Sequence, residues 1–330
     1  MEKKDIKIAW ELKREKGVSW TKLPGALQEA IGGDLHSTNT IRDAIRCYEK
    51  SNGLTAKKKD LGLVLSINDV HIGKRTASYN SKKIIAKMEH VFNDFLNDIN
   101  MQKRIYNINI LHINFIGDIL DNDSLYPTQP HHVDRETGEV SNPTKQVEFA
   151  DELFSRLISE LYKKTRIPID VNCVKGNHGR ISKFTDEGNN YDVMFYNSLK
   201  KSFKEHKKIN CYVTDSFYMI KNINGHGFLL HHGNGIKMYQ NIPWYGLVQK
   251  CMRWAGSLSQ EFKYMIVGHF HTSGEQVWND KTIFMNGTPV EEDIFPLEVL
   301  GLSADNTFWV FGVTKNDGIK YRNKINMSEV

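Results

Sequence analysis

Cysteine is scarce in this chain, and what there is does not pair up. Cys47, Cys173, Cys211 and Cys251 are the only four among 330 residues, far apart and without a C-x-x-C spacing. At this length a disulfide scaffold is not needed, and the spacing excludes a zinc ribbon. Long apolar runs are missing too. The longest, such as Leu61–Leu65, reach only strand length, so no segment is expected to span a bilayer. The opening stretch MEKKDIKIAW is charged and lacks the apolar centre of a signal peptide. Nor is there a large charge excess: 44 Lys+Arg against 39 Asp+Glu leaves +5, compatible with a nucleic-acid partner without demanding one. What excess exists sits early, with 13 basic against 9 acidic side chains in residues 1–60. No repeat or low-complexity tract is visible. These absences lead to the expectation of a soluble protein of a reducing cytoplasm with no membrane partner. Against them stand 40% hydrophobic and 11% aromatic residues, enough for a sizeable core.

The apolar pattern changes character along the chain. Residues 1–50 read as three helices: one with Ile6, Ala9 and Trp10 inward and Gly17 as its stop, a second over 19–31, and a third over 37–49. In the second, Ser19 is the expected N-cap and Gly32-Gly33 the stop. The third buries Ile41, Ala44, Ile45 and Tyr48. Residues 51–60, SNGLTAKKKD, are polar and read as a linker. Over 61–330 the pattern becomes strand–loop–helix and later mostly strands. Strands are expected at 61–67, 108–116 and 169–174, with helices over 82–101, 143–164 (Pro143 at its first position) and 191–203. That order implies an α/β core with sheet on sheet and helices outside.

Polar, metal-binding residue types recur where the strands end. LGLVLSI is followed by Asp69-Val70-His71, and INFI by Gly117-Asp118-Ile119-Leu120-Asp121. IDVNCV and one lysine precede Gly176-Asn177-His178; GFLL precedes His231-His232-Gly233; YMIV precedes Gly268-His269-Phe270-His271. A lone D-x-H carries almost no weight, and the rarer blocks are each expected roughly 0.04–0.1 times by chance, but their ordered recurrence at strand ends is another matter. In an extended segment residues i and i+2 point the same way, so Asp69 with His71, and His269 with His271, are expected to face one pocket. Asp, Asn and His without Cys suit Mn²⁺, Fe²⁺ or Zn²⁺ rather than a thiolate site. Seven such ligands exceed one tetrahedral ion and fit two ions about 3.5–4 Å apart sharing a carboxylate, the arrangement used for in-line displacement at phosphorus.

The five blocks, in order across residues 69–271, resemble those of the calcineurin-like metallophosphoesterases. The resemblance implies a four-layer α/β/β/α sandwich with a two-metal centre at the strand ends. It assigns Asp69, His71 and His271 to one ion. Asn177, His269 and the histidine of the H-G block go to the other, with Asp118 bridging. In that block His232, directly before Gly233, is the expected ligand and His231 the alternative. The resemblance places His178 beside the leaving group, with Asp121 orienting its imidazole, and makes the attacking group a metal-bridging hydroxide. Mn²⁺ is the expected cofactor, with Fe²⁺, Zn²⁺ and Mg²⁺ as alternatives. Many phosphatases of the family continue the second and third blocks as G-D-x-x-D-R-G and G-N-H-E. Here they run on as Asn122-Asp123 and Gly179-Arg180. The pattern is therefore more similar to the branch of DNA repair exonuclease subunits and their relatives on phages and mobile elements, whose members are often homodimers.

Outside the blocks the functional signals are thinner. Arg180 reads either as a contact to a substrate phosphate or as a surface ion-pair partner. The long loop 121–142 at the catalytic rim reads as a substrate lid or an insertion. Trp244 and Tyr245 read as a base-stacking pair or as core. The three N-terminal helices resemble a helix-turn-helix, with Thr38, Asn39, Thr40, Arg42 and Arg46 suited to phosphates and base edges; a simple docking module is the alternative. The leading expectation is a two-metal phosphodiesterase acting on DNA. Beside it stand hydrolysis of a nucleotide or other small phosphoester, and a DNA-binding regulator with a vestigial catalytic domain.

Overall fold

Strands apolar at every position, rather than at alternate ones, are strands covered on both faces, and β1 (Asp60–Ile67) sits that way in the computed structural model, buried from its second residue on. The structure describes residues 1–31, 36–51, 58–126, 129–136, 138–182, 188–240, 242–291 and 304–330. The chain divides into two compact units, Met1–Lys58 and Lys59–Val330.

In the first unit α1 (Lys3–Arg14), α2 (Leu23–Ile31) and α3 (Thr38–Ser51) bury Ala9, Leu23, Leu27, Ile41 and Ile45. The second helix starts at Leu23 and not at Ser19. Pro24, lacking an N–H, fits a first turn and would break an interior one; the Ser19 hydroxyl instead meets that of Thr21. Ser37 caps α3, its hydroxyl accepting the Thr40 N–H at 3.1 Å. The expected stop at Gly32-Gly33 and most of the expected linker, 52–57, lie outside the described residues.

The second unit continues with α4 (Ser81–Gln102), β2 (Asn107–Ile116), α5 (Gln129–His132), α6 (Pro143–Thr165), β3 (Ile169–Val174), α7 (Tyr191–Ser202) and β4 (Ile209–Val213). Then come β5 (Tyr218–Ile223), β6 (His226–His231), α8 (Trp244–Ser257), β7 (Tyr264–Val267), β8 (Gly274–Trp278), β9 (Lys281–Met285), β10 (Thr307–Thr314) and β11 (Gly318–Asn326). One sheet runs β11-β10-β1-β2-β3-β4 and the other β5-β6-β7-β9-β8. Within them β1 to β4 are parallel, and so are β6, β7 and β9.

Because successive side chains of a strand point to opposite faces, each strand serves two cores. Leu63 and Leu65 of β1 pack with Ile84 of α4, Phe154 of α6 and Phe195 of α7. Val64, between them in sequence, packs with Phe228, Leu230 and Phe284 of the other sheet. Leu229 of β6, flanked by those two, meets Leu247 and Cys251 of α8. Three apolar layers thus separate four structural ones, giving an α/β/β/α sandwich.

Candidate metal centre

All five polar blocks lie at carboxyl ends of parallel strands, after β1, β2 and β3 in one sheet and β6 and β7 in the other. This is where open α/β sheets place their ligands. The turns are sharp. Asp69, His71, Asp118, His269 and His271 all have positive φ, between 48° and 72°, in the left-handed region that L residues avoid and that clusters at functional sites. This corrects the expectation of extended D-x-H and H-x-H segments. Asp69 and His71 converge through two left-handed turns, and the same geometry sends His269 and His271 to different partners.

Two groups consist of expected ligands alone: Asp69, His71 and His271 form one, and Asp118, His232 and His269 the other, the offered ligand atoms of each lying within 4.8 Å of one another. A third group of the same kind, His71 with Asp121 and His178, shares His71 with the first. In the first, His71 Nε2 and His271 Nε2 stand 3.2 Å apart, and Asp69 Oδ1 is 3.8 Å and 3.5 Å from them. In the second, His232 Nε2 lies 2.8 Å from Asp118 Oδ2. Asp69 Oδ1 is also 3.9 Å from His232 Nε2, so here an oxygen of Asp69 reaches toward both groups.

The donors are aimed at something that is not protein. Among the described residues nine buried side-chain polar atoms have no hydrogen-bond partner, and the ligand oxygens Asp69 Oδ1 and Asn177 Oδ1 are two of them. An orphaned buried group costs about 1–3 kcal/mol, and divalent ions would satisfy the oxygens and imidazole nitrogens together. The remaining atoms of these side chains are tied down by hydrogen bonds, which orients the atoms offered to an ion. Asp69 Oδ2 accepts the His269 N–H at 2.7 Å, and Asp118 Oδ1 the His178 N–H at 2.7 Å. His232 Nδ1 faces the Ile116 carbonyl at 2.8 Å, which leaves Nε2 as the offered nitrogen. The backbone is equally close: a Cβ on Gly176 would lie 2.0 Å from Asp118 Oδ1, and one on Gly268 2.6 Å from Asp69 Oδ2.

The electrostatics fit a cation site. Burial pushes the Asp69 carboxyl up, but the imidazoles of His232 and His271 outweigh it and hold it at about 2. Burial pulls His232 down, and Asp118 and Asp69 override it and raise the imidazole to about 9. For His269 burial wins, helped by the neighbouring His232, and the imidazole falls to about 4.

His232 and His231 part company. His231 turns its ring to Trp254, centroids 5.1 Å apart, and its Nδ1 accepts the Gly233 N–H at 2.8 Å. It is absent from both groups. Asp121 serves two imidazoles rather than one: its Oδ1 is 2.8 Å from His71 Nδ1 and 3.2 Å from His178 Nδ1. Burial lowers the His178 pKa, but Asp118 and Asp121 more than reverse this. Arg180 donates from Nε to the Asn177 carbonyl at 3.2 Å, which holds its guanidinium beside the third block.

Three residues at the centre carried no motif. Tyr126 accepts from Asn177 Nδ2 at 2.9 Å, and its ring lies 4.9 Å from that of His178. Gln129 reaches His178 Nδ1 at 3.1 Å. Both come from the loop read as lid or insertion, of which residues 127, 128 and 137 lie outside the described residues. Asp192, fully buried at the start of α7, accepts the backbone N–H groups of Asp118, Ile119, Leu120 and Gly176 at 3.0–3.1 Å.

The candidate DNA-contacting residues lie in the first unit. Asn39, Thr40 and Arg46 are exposed. Arg42 stacks on Trp20, 4.8 Å from the ring centroid, and Arg46 is 4.0 Å from Asp43. Thr38 opens α3, and the Thr40 hydroxyl meets that of Ser37 at 2.8 Å. No helix among the described residues is long and apolar enough to cross a membrane.

No family model and no curated protein matches the chain. Among solved structures, vacuolar protein sorting 29 of Cryptosporidium parvum aligns at 15% identity and a TM-score of 0.38, over 81% of this chain and 96% of that one. The zinc complex of vacuolar protein sorting 29 from Entamoeba histolytica aligns at 14% and 0.35, over 80% and 99%. A novel archaeal phosphodiesterase aligns at 13% and 0.34, over 79% and 98%.

Proposed function

We propose that the chain is a two-metal-dependent phosphodiesterase that hydrolyses DNA. The observation that carries this reading is the set of buried carboxylates and imidazoles converging in two groups, with Asp69 Oδ1 and Asn177 Oδ1 unpartnered, a composition suited to a pair of divalent ions, with Mn²⁺ first and Fe²⁺, Zn²⁺ and Mg²⁺ behind it. Asp69, His71 and His271 would hold one ion, and Asn177, His232 and His269 the other, with Asp118 shared. When bound, such a pair neutralises charge on the phosphoryl oxygens and lowers the pKa of a coordinated water.

The protein's own part is position and proton supply. His178 Nδ1 is engaged by Asp121 and Gln129, so Nε2 is the atom that gives a proton to the leaving oxygen. The neighbouring carboxylates that raise its pKa keep the proton there to give. Arg180, anchored on the Asn177 carbonyl, presents its remaining N–H groups to a phosphate. The intact ligand set weighs against a vestigial site. DNA as substrate draws on the basic first unit with its exposed polar helix α3, read as a helix-turn-helix arm.

Purified protein with Mn²⁺ is expected to cut plasmid or linear DNA, and Asp118→Ala or His178→Ala to abolish cutting. Removing residues 1–55 should spare small-diester hydrolysis while lowering DNA affinity. Cleavage of nucleotides but never DNA would move the reading to a small phosphoester. Duplex binding without hydrolysis under any metal would move it to a regulator.

A further inference from the structure

From Ser216 to Gln260 the chain has no Asp or Glu, while it has Lys221, Lys237, Lys250 and Arg253. In a protein with 39 acidic residues among 330, about five would fall in such a stretch by composition alone. Within it lies the segment that leaves the metal centre at His232 and runs into α8. Gly233 packs against His269, where a Cβ would come within 2.9 Å of that residue's own Cβ, which roots the segment in the centre. Tyr239 and Ile242 then exchange backbone hydrogen bonds at 3.2 and 2.9 Å, and Gln240 has φ 49°.

This hairpin and the start of α8 leave apolar side chains uncovered: Tyr239 is 66% exposed, Ile242 57% and Tyr245 68%. Tyr245, Gln249 and Arg253 recur at intervals of four along α8 and share one face; Lys237 and Arg253 are exposed as well. Trp244 behaves differently. It packs on Gly274 and joins the α8 core, so of the two aromatics at the helix start only Tyr245 offers a free ring face.

Resting on the reading of the centre as a DNA phosphodiesterase, we infer that Tyr239, Ile242 and Tyr245, with Lys237 and Arg253, form a stacking platform for single-stranded DNA beside the scissile phosphate. Aromatic faces among cations on a stretch of chain without carboxylates are what a polyanion with exposed bases selects, and stacking on them is sequence-tolerant. The reach agrees. Seven residues separate His232 from Tyr239, so the tip lies at most about 25 Å away. A single strand bound at the centre can cover that distance within the site sizes of about 4–16 nucleotides typical of such grooves.

The test compares wild type, a Tyr239→Ala/Tyr245→Ala double variant and the corresponding double Phe variant with Mn²⁺. Substrates are a single-stranded oligonucleotide, its duplex and bis(p-nitrophenyl) phosphate, and sedimentation reports the oligomeric state. The Ala variant is expected to raise KM for the single strand about 10-fold or more, with a smaller effect on duplex and none on the small diester. The Phe variant, which keeps the rings, should behave as wild type. Unchanged KM for the single strand, in a wild type that cuts DNA, overturns the platform and leaves the nuclease reading standing. A wild type that hydrolyses the small diester but neither binds nor cuts DNA overturns both. A dimer that the Ala variant turns into monomers makes this face a subunit interface and overturns the platform.

Discussion

The carboxylate of Asp192, which belongs to neither ligand group, accepts the backbone N–H of Asp118 at 3.0 Å. The same oxygen takes the Gly176 N–H, and the other oxygen takes those of Ile119 and Leu120. One buried side chain thus holds the loops after β2 and β3 in register, and those loops carry Asp118, Asn177 and His178. Burial and the negative charge of Asp118 raise the Asp192 carboxyl to about 6. The N–H groups of Gly176 and Leu120 and the imidazole of His232 oppose that rise.

Asp192 is therefore a positioning residue, and its loss should show in metal binding before it shows in chemistry. Asp192→Asn keeps one accepting oxygen and turns an NH₂ toward the other pair of N–H groups. It should weaken Mn²⁺ binding about 10-fold or more and cost roughly 2–4 kcal/mol of stability. Calorimetric titration with Mn²⁺ beside urea unfolding reads both. A variant that binds Mn²⁺ like wild type would remove Asp192 from the centre.

Tyr126 acts through Asn177. The carboxamide gives its N–H to the phenol oxygen, and this leaves the unpartnered Oδ1 as the atom offered to an ion. Tyr126→Phe preserves the ring against His178 and deletes the hydrogen bonds that the phenol oxygen accepts from Asn177 and, at 3.5 Å, from Arg180. The Mn²⁺ concentration needed for half-maximal hydrolysis of a small diester should rise about 10- to 100-fold, while kcat at saturating metal changes little. A fall in kcat with no change in metal dependence would place Tyr126 on the substrate instead.

The adjacent histidines of the fourth block give a sharper contrast. His232→Asn removes a nitrogen 2.8 Å from Asp118 and should lose one of the two ions. His231→Gln disturbs a ring packed on Trp254 and should keep both, at about 1–2 kcal/mol of stability. Metal content by mass spectrometry after dialysis separates the two. Equal loss of metal in both variants would contradict the assignment.

How far this was legible in the sequence depends on whether a residue acts alone or through a fold contact. The members of the two groups all stood in the five blocks, because a strand end followed by glycine, carboxylate and imidazole is a local pattern. Asp192, Tyr126 and Gln129 were not legible. Their contacts to Asp118, Asn177 and His178 span 74, 51 and 49 residues, and an Asp opening a helix or a Tyr in a loop has an ordinary local explanation. The i, i+2 argument failed for a related reason: left-handed turns at Asp69 and His269 are bought by tertiary contacts, which no pattern of residue types displays. Strand β11 escaped because it is an edge strand with Lys320, Arg322 and Lys324 facing outward. Charge of that kind hides a strand from an apolar search and guards the edge against pairing.

The last prediction lies away from the metal centre. His112 of β2 is buried, and its Nδ1 has no hydrogen-bond partner. Burial lowers its pKa, Asp170 opposes this and Lys221 adds to it, and the imidazole settles at about 4 against an ordinary 6.5. Between those values the unfolded chain binds the proton and the folded one does not, so stability rises with pH through this window. The contribution is fully present above pH 6.5 and is lost as pH falls toward 4. Between about pH 7 and pH 5 it amounts to about 2 kcal/mol. His112→Gln, which cannot titrate, should lose less stability than wild type over the same interval by about that amount. Urea unfolding of both proteins in chelator, where bound metal cannot add its own pH dependence, reads the difference between the two curves. Parallel curves would show that His112 is protonated in the folded state, or open to water in it.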